Sequence, residues 1–281
     1  MLYHGEQIFG DHNFRQLIGN GRSVMAGGEP RYLVDGYGEP CSKPRVSAYG
    51  SIQGATPFHE RFTVLSREEI RERAIDLERT ESRVSDLINF SSKDQNGTSY
   101  CWNNGVVGAV EACREMAGLP YVSLSPASVG GPITGYRNVG GWGEDALKYI
   151  SENGIARSEL WPDNAIEPKY MTAEVKADYE NHQILEWFDL ETDNVLQLWT
   201  MLVHRIPVPL GLNWWGHLIY GCDVVVQGNS LLTRIRNSWN DIWGAKNKHG
   251  VGGFGVLEES RSRGSQFGVR AVTASRSKRA A

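Results

Sequence analysis

From Cys101 onward, Val106, Val107, Val110, Cys113 and Met116 recur at the spacing of one helix face, and Gly118 and Pro120 mark where that helix must stop. A helix so apolar has to be covered by other elements, yet a thiol stands at its first turn. In the stretch Gln95-Asn96-Gly97-Thr98-Ser99-Tyr100-Cys101-Trp102, Cys101 meets unpaired backbone N–H groups and the positive end of the helix dipole. Both favour an anion, and so pull the thiol toward the nucleophilic thiolate. Gln95 precedes it across a Gly-containing turn that can fold the amide back toward the sulfur. A lone cysteine ahead of an apolar helix is ordinarily a small buried hydrophobe. A thiol nucleophile needs a base, and the base needs an orienting group. Both follow downstream: Gly216-His217-Leu218 lies in an apolar strand pattern, and Arg236-Asn237-Ser238-Trp239-Asn240-Asp241-Ile242-Trp243-Gly244 comes after it.

The chain order Cys, His, Asn, with Gln95 before Cys101-Trp102 and with Asn237-Ser238-Trp239 after His217, resembles the papain-like cysteine peptidases. The resemblance implies a nucleophile at Cys101 and a general base and acid at His217. It further implies an imidazole-orienting amide at Asn237, an oxyanion hole from Gln95 and the Cys101 N–H, and a shield over the His–Asn bond at Trp239. Leu124-Ser125-Pro126 resembles the family's segment after the central helix, and Val139-Gly140-Gly141-Trp142 its glycine wall beside the substrate. Trp142 to Asn153 is similar to its next helix, and Gly252 to Val256 and Ser265 to Val269 to its closing strands. The implied fold is α+β: a helical lobe with a long central helix, an antiparallel barrel-like β lobe, and a cleft between them. The implied activity is peptide-bond hydrolysis through an acyl-enzyme, with no cofactor. Substrate contacts are expected at Gly140, Gly141, Tyr100, Trp102, Leu218 and Trp239.

Several residues depart from the family pattern. His217 follows Cys101 by only 116 residues, because Trp214, Trp215 and Gly216 alone separate Asn213 from His217 where relatives carry a long loop. One wall of the cleft is expected to be shorter, with Trp214-Trp215 in its place. Tyr100 stands where a small residue usually precedes the cysteine and is expected to crowd the cleft. Asn240 replaces a glycine, which a turn tolerates because Asn enters the left-handed region more easily than most residues.

Length and charge admit this reading. A chain of 281 residues can bury one large core or two lobes. Its net charge of −4 gives no bias toward nucleic acid. The basic segment from 260 to 281, with six Lys/Arg and no acid, is expected to touch nucleic acid at most weakly, since Phe267 to Val272 has a buried-strand pattern. No run approaches a membrane span and the first residues lack a secretory pattern, so a cytosolic or virion-associated protein is expected. The cysteines at 41, 101, 113 and 222 leave an odd number once Cys101 is set aside as nucleophile, which is unlike a disulfide framework. His and Asp are scattered without metal-ligand spacing.

Residues 1–84 differ from the remainder, 85–281. Ten glycines lie between Gly5 and Gly54, while all nine tryptophans lie at or beyond Trp102, so residues 1–65 are expected to form an arm of short strands and turns. Ser66-Arg67-Glu68-Glu69 makes a capping box opening a charged helix to about Ser82, with Ile70, Ala74 and Leu77 on one face. The extension is either an inhibitory prosegment or an arm docking onto a protein partner. Gly130-Gly131-Pro132, with Gly140-Gly141, is expected to be a glycine-rich loop. Helices are expected at Met171 to Gln183 and Asp193 to Arg205, followed by strands at His217 to Val226, Leu231 to Asn237 and Gly252 to Leu257. Two functions follow: a cysteine peptidase, or a papain-like structural or docking component, for example of a viral particle, with weak or no catalysis.

Overall fold

The computed structural model describes residues 1–13, 25–26, 29–30, 41–43, 45 and 47–273. In chain order the strands are β1 (Ile8–Phe9), β2 (Met25–Ala26), β3 (Glu29–Pro30), β4 (Thr56–Pro57), β5 (Ile184–Asp189), β6 (Val208–Leu212), β7 (His217–Gln227), β8 (Ser230–Arg236), β9 (Phe254–Leu257) and β10 (Ser265–Val272). The helices are α1 (Arg67–Arg79), α2 (Val84–Leu87), α3 (Cys101–Met116), α4 (Pro126–Thr134), α5 (Gly143–Glu152), α6 (Ala173–Tyr179) and α7 (Val195–Val203). Local chemistry sets several of these ends. Ser66 and Glu69 form the reciprocal capping box of α1. The side chains of Ser125, Thr172 and Asn194 each accept a hydrogen bond from the first turn of α4, α6 and α7.

Helix α3 begins at Cys101 itself and is buried along nearly its whole length. It lies on the long strand β7, and two glycines allow the approach. A Cβ on Gly105 would fall 2.4 Å from the Leu218 side chain and 3.0 Å from the Leu218 carbonyl oxygen, and one on Gly108 would fall 2.8 Å from the Tyr220 ring. The core on this side unites Trp102, Val106, Val107 and Val110 with Leu218, Tyr220 and Cys222. A second core, built on α7 with Leu198, Trp199 and Leu202, packs with Ile219, Ile235 and Leu257. Strand β7 therefore carries apolar residues toward both cores, and its first nine residues are buried.

One eight-stranded sheet runs in the order β1-β9-β8-β7-β6-β10-β5-β4. Its inner pairs are antiparallel. Both edges are parallel and both come from the N-terminal region: β1 joins β9 and β4 joins β5. Short edge strands of this kind cover the exposed hydrogen-bonding rows of a sheet. The boundary expected at residues 84/85 is thus crossed by strand pairing. It is crossed again by a buried ion pair in which Arg234 donates two hydrogen bonds of 2.7 Å to Glu6.

Gly130, Gly131 and Pro132 are not a loop but the middle of α4. The Ser125 cap and Pro126 in the first turn start the helix, and the two glycines bring it against large side chains. Gly130 faces Tyr100 and Asn103, while Gly131 lies against Trp161 and Tyr136. Asn240 takes the expected left-handed conformation, at φ +57°. Residues 274–281, which hold half of the basic tail, lie outside the described residues, as do 14–24, 27–28 and 31–40 of the glycine-rich arm. Among the described residues, no helix is long and apolar enough to cross a membrane.

Candidate active site

His217 is the first residue of β7, placed there by a tight turn in which Leu212 of β6 pairs with it directly. Gly216, at φ +62°, makes that turn. The imidazole is 2% exposed. Its Nε2 lies 2.7 Å from Asn237 Oδ1, the same atom that accepts the Ser238 backbone N–H at 2.8 Å. A backbone N–H can only donate, so this atom is the amide oxygen and Nε2 must carry the ring hydrogen. Nδ1 is left with a lone pair, facing the sulfurs. The ring is held between two indoles, Trp215 at 4.7 Å and Trp239 at 4.9 Å between centroids. Burial drives its pKa down to about 4, against the smaller opposing effect of the Asn237 bond.

Cys101 opens α3 within this group, but it is not a free thiol. It forms a disulfide with Cys41. The expectation that the cysteines are unlike a disulfide framework is corrected here, because the residue set aside as nucleophile is itself one partner of a disulfide. Cys113 and Cys222 are the free pair and both are buried. Burial pushes the Cys113 thiol up to about 12 and Cys222 well above its ordinary value. Cys41 Sγ lies 3.5 Å from His217 Nδ1; with no hydrogen on either sulfur, this is a contact and not a hydrogen bond. The donor atoms of Cys41, Cys101 and His217 all fall within 4.8 Å of one another. That grouping suits a soft divalent ion in principle, but two sulfurs bonded to each other offer no thiolate to one.

Cys41 arrives on a short extended segment laid between the two walls. Ser42 N–H donates to Gly216 O at 3.0 Å, Lys43 N–H to Gly141 O at 2.9 Å, and Gly141 N–H to Cys41 O at 3.2 Å. Ser42 and Gly141 form a parallel bridge. Beyond it, Lys43 Nζ sits 4.5 Å over the Trp142 ring, and Arg45 enters an acidic pocket. Its guanidinium pairs with Asp189 at 2.7 and 2.8 Å and donates to Leu190 O at 3.0 Å. Asp189 also accepts from Gly50 N–H, and Glu144 from Ser47 Oγ, each at 2.7 Å.

The residues expected to touch substrate divide into two groups. Gly140 and Gly141 are both buried, and Gly141 supplies the backbone partners just described. Trp239 packs against the His217 ring. Trp102 lies beneath the wall, since a Cβ on Gly141 would come within 2.5 Å of its indole. Leu218 is 1% exposed and belongs to the core. Tyr100 is fully buried and does not crowd the cleft; its hydroxyl is tied to Thr134 Oγ1 at 2.8 Å and donates to Arg137 O at 2.9 Å within the helical side. Gln95 Nε2 donates to Thr98 O at 3.1 Å, and its Oε1 accepts from Ser238 Oγ at 3.1 Å. Trp214 and Trp215 stack on each other, with Trp215 wholly buried under His217 rather than forming an outer wall.

Comparison with known proteins gives this arrangement its frame. No protein-family profile matches the chain. Among curated proteins it is similar to Cathepsin L 1 and Cathepsin L 2 of Paramecium tetraurelia, each 26% identical over 167 residues, 54% of this chain and 52% of the relative. The chain spans about half the length of these relatives. Among solved structures it superposes on xylellain, a cysteine protease from Xylella fastidiosa, with TM-score 0.54 and 14% identity, over 84% of this chain and 96% of that one. Digestive procathepsin L 3 of Tenebrio molitor gives TM-score 0.53 and 14% identity over 92% and 78%. The fold is that of the papain-like cysteine peptidases. Within this papain-like frame, sequence reasoning missed Cys41, Ser42 and Arg45, the residues that fill the cleft. The one local signal was a cysteine stranded in a glycine-rich arm; nothing in its surroundings says that the arm crosses the first turn of α3.

Proposed function

We propose that this papain-like chain is a cysteine peptidase in which Cys101, once free, attacks a peptide carbonyl. The observation that carries this reading is the orientation of His217: Nε2–H is held by Asn237, and Nδ1 faces the paired sulfurs of Cys41 and Cys101, within 4.8 Å. Nδ1 takes the thiol proton and later gives it to the leaving amine, and water then releases the acyl-enzyme. The position of Cys101 in the first turn of α3 favours the thiolate. The Cys101 N–H and the Gln95 amide, turned away from Thr98, hold the oxyanion. Trp215 and Trp239 keep water from the His–Asn bond. An extended peptide would lie where Cys41 to Lys43 lie, using Gly141 and the Gly216 carbonyl as backbone partners.

A second reading is a papain-like docking component with its chemistry silenced, acting through residues 1–65. It is favoured by a cleft that the chain's own segment already fills. Reaction of the reduced protein with a thiol-directed epoxide separates the two. For the peptidase, Cys101 is modified well before Cys113 and Cys222, and the product hydrolyses no peptides. Cys101→Ala and His217→Ala lower turnover of a fluorogenic peptide library at least about a thousandfold. Equal, slow labelling of the reduced thiols, with no turnover, favours the silent component.

A further inference from the structure

We propose that Cys41 is a built-in, reversible blocking group for the nucleophile, so that thiol reduction switches this protein on. The proposal rests on the peptidase reading for its consequence, but the switch itself is a property of two sulfurs and can be tested apart from it.

The blocking sulfur takes both of the nucleophile's chemical partners. It is bonded to Cys101 and lies 3.5 Å from the His217 Nδ1 lone pair. With Cys101 in a disulfide it holds no thiolate to attack any carbonyl, including those of the segment that covers it. Self-cleavage of that segment therefore cannot begin before reduction. Three backbone hydrogen bonds to Gly141 and Gly216 position Cys41. The Arg45 pair with Asp189, reinforced by Ser47 on Glu144 and by Gly50 on Asp189, anchors the segment independently of the disulfide. A thiol so held presents itself to Cys101 at high effective concentration, so the bond re-forms when reductant is withdrawn.

The remaining cysteines cannot resolve the bond from within, being buried with raised thiol pKa values. The reductant is an external thiol, a small monothiol or a protein dithiol. Its thiolate attacks the Sγ of Cys41, the slightly more exposed residue of the two at 4%. The S–S bond breaks and Cys101 departs with the electron pair as a thiolate, at the helix N-terminus where it is best stabilised. A second external thiol then releases Cys41 from the mixed disulfide. The sum is two electrons and two protons to the protein, and one external disulfide formed.

The test uses the full chain purified without reductant. After denaturation, iodoacetamide should modify two cysteines, and four after reduction, with one cross-linked peptide joining Cys41 to Cys101. In the native state, epoxide labelling of Cys101 should be at least tenfold slower before reduction than after. Across a series of redox buffers, its onset should follow the loss of the cross-link in the unmutated protein. Cys41→Ser should label at the fast rate without reductant, whereas Cys113→Ser should keep the dependence. Four alkylated cysteines before reduction, with or without bound zinc, would overturn the switch. So would a Cys41→Ser protein that labels no faster than the unreduced parent, or peptide hydrolysis by the cross-linked form. Gated labelling without hydrolysis of any peptide supports the switch while removing the peptidase reading.

Discussion

His217 is a base kept neutral by its surroundings. Two indoles and a disulfide exclude water, and Asn237 can support only one side of the ring, so the imidazole loses the solvation an imidazolium needs. Because the folded-state pKa of about 4 lies below the unfolded value of about 6.5, the unfolded chain binds the extra proton first. The stabilisation is fully present above about pH 6.5 and is lost as pH falls toward about 4. At about 1.4 kcal/mol per unit it amounts to at most about 3–4 kcal/mol. Urea unfolding of the oxidised protein at pH 7 and pH 4.5 should show this slope, and His217→Gln should flatten it. An equal slope in both proteins would place the proton uptake elsewhere. The same residues explain how much of the site was legible. Cys101, His217 and Asn237 are each marked by neighbours in the chain: a turn and an apolar helix, a Gly-His strand start, an Asn-Ser-Trp. Tyr100 and Leu218 were misplaced because chain adjacency to Cys101 or His217 says nothing about which way a side chain turns.

The pair α3 and β7 is the structural centre, and its contact is made by absent side chains. Helices normally stand off a sheet by the height of the residues between them. Here Gly105 and Gly108 let α3 descend onto Leu218 and Tyr220, which brings the first turn of the helix and the first residue of the strand together at the site. Gly105→Ala should cost about 1–3 kcal/mol of stability through overpacking, measured by urea unfolding of the oxidised protein. It should slow peptide turnover of the reduced protein more than its stability loss alone accounts for. A neutral result would mean that the helix can retreat without consequence. The apolar spacing after Cys101 disclosed α3 and put its start at or near Cys101. Helix α4 was read as a loop because glycine is a poor helix former, and only the packing of Gly130 and Gly131 against Tyr100 and Trp161 outweighs that propensity.

Across the molecule, the N-terminal region is a strap and not an appendage. It supplies both edge strands, buries Glu6 against Arg234, and passes Cys41 through the cleft on the way. Removing the whole of residues 1–65 would therefore disturb the fold as well as uncover the site. Glu6→Ala shows the dependence in one position: it leaves Arg234, fully buried, without its bidentate partner, and should cost about 3–5 kcal/mol. Thermal or urea unfolding checks this, and a loss below about 1 kcal/mol would mean that Asp223, 3.5 Å from Arg234, neutralises the charge alone.

Local chemistry in the chain determined the helix that begins at the thiol, the order of Cys101, His217 and Asn237, the capped α1, the tight turn into His217 and the left-handed Asn240. Each of these depends on residues within a few positions of one another, whose spacing and backbone preferences survive outside the fold. Tertiary structure alone decided the partner of Cys101, the descent of α3 onto β7, and the route of the arm along both sheet edges. Those depend on which distant segments are brought together. Sixty residues separate Cys41 from Cys101, and only the walls of Gly141 and Gly216 put the two sulfurs within bonding distance.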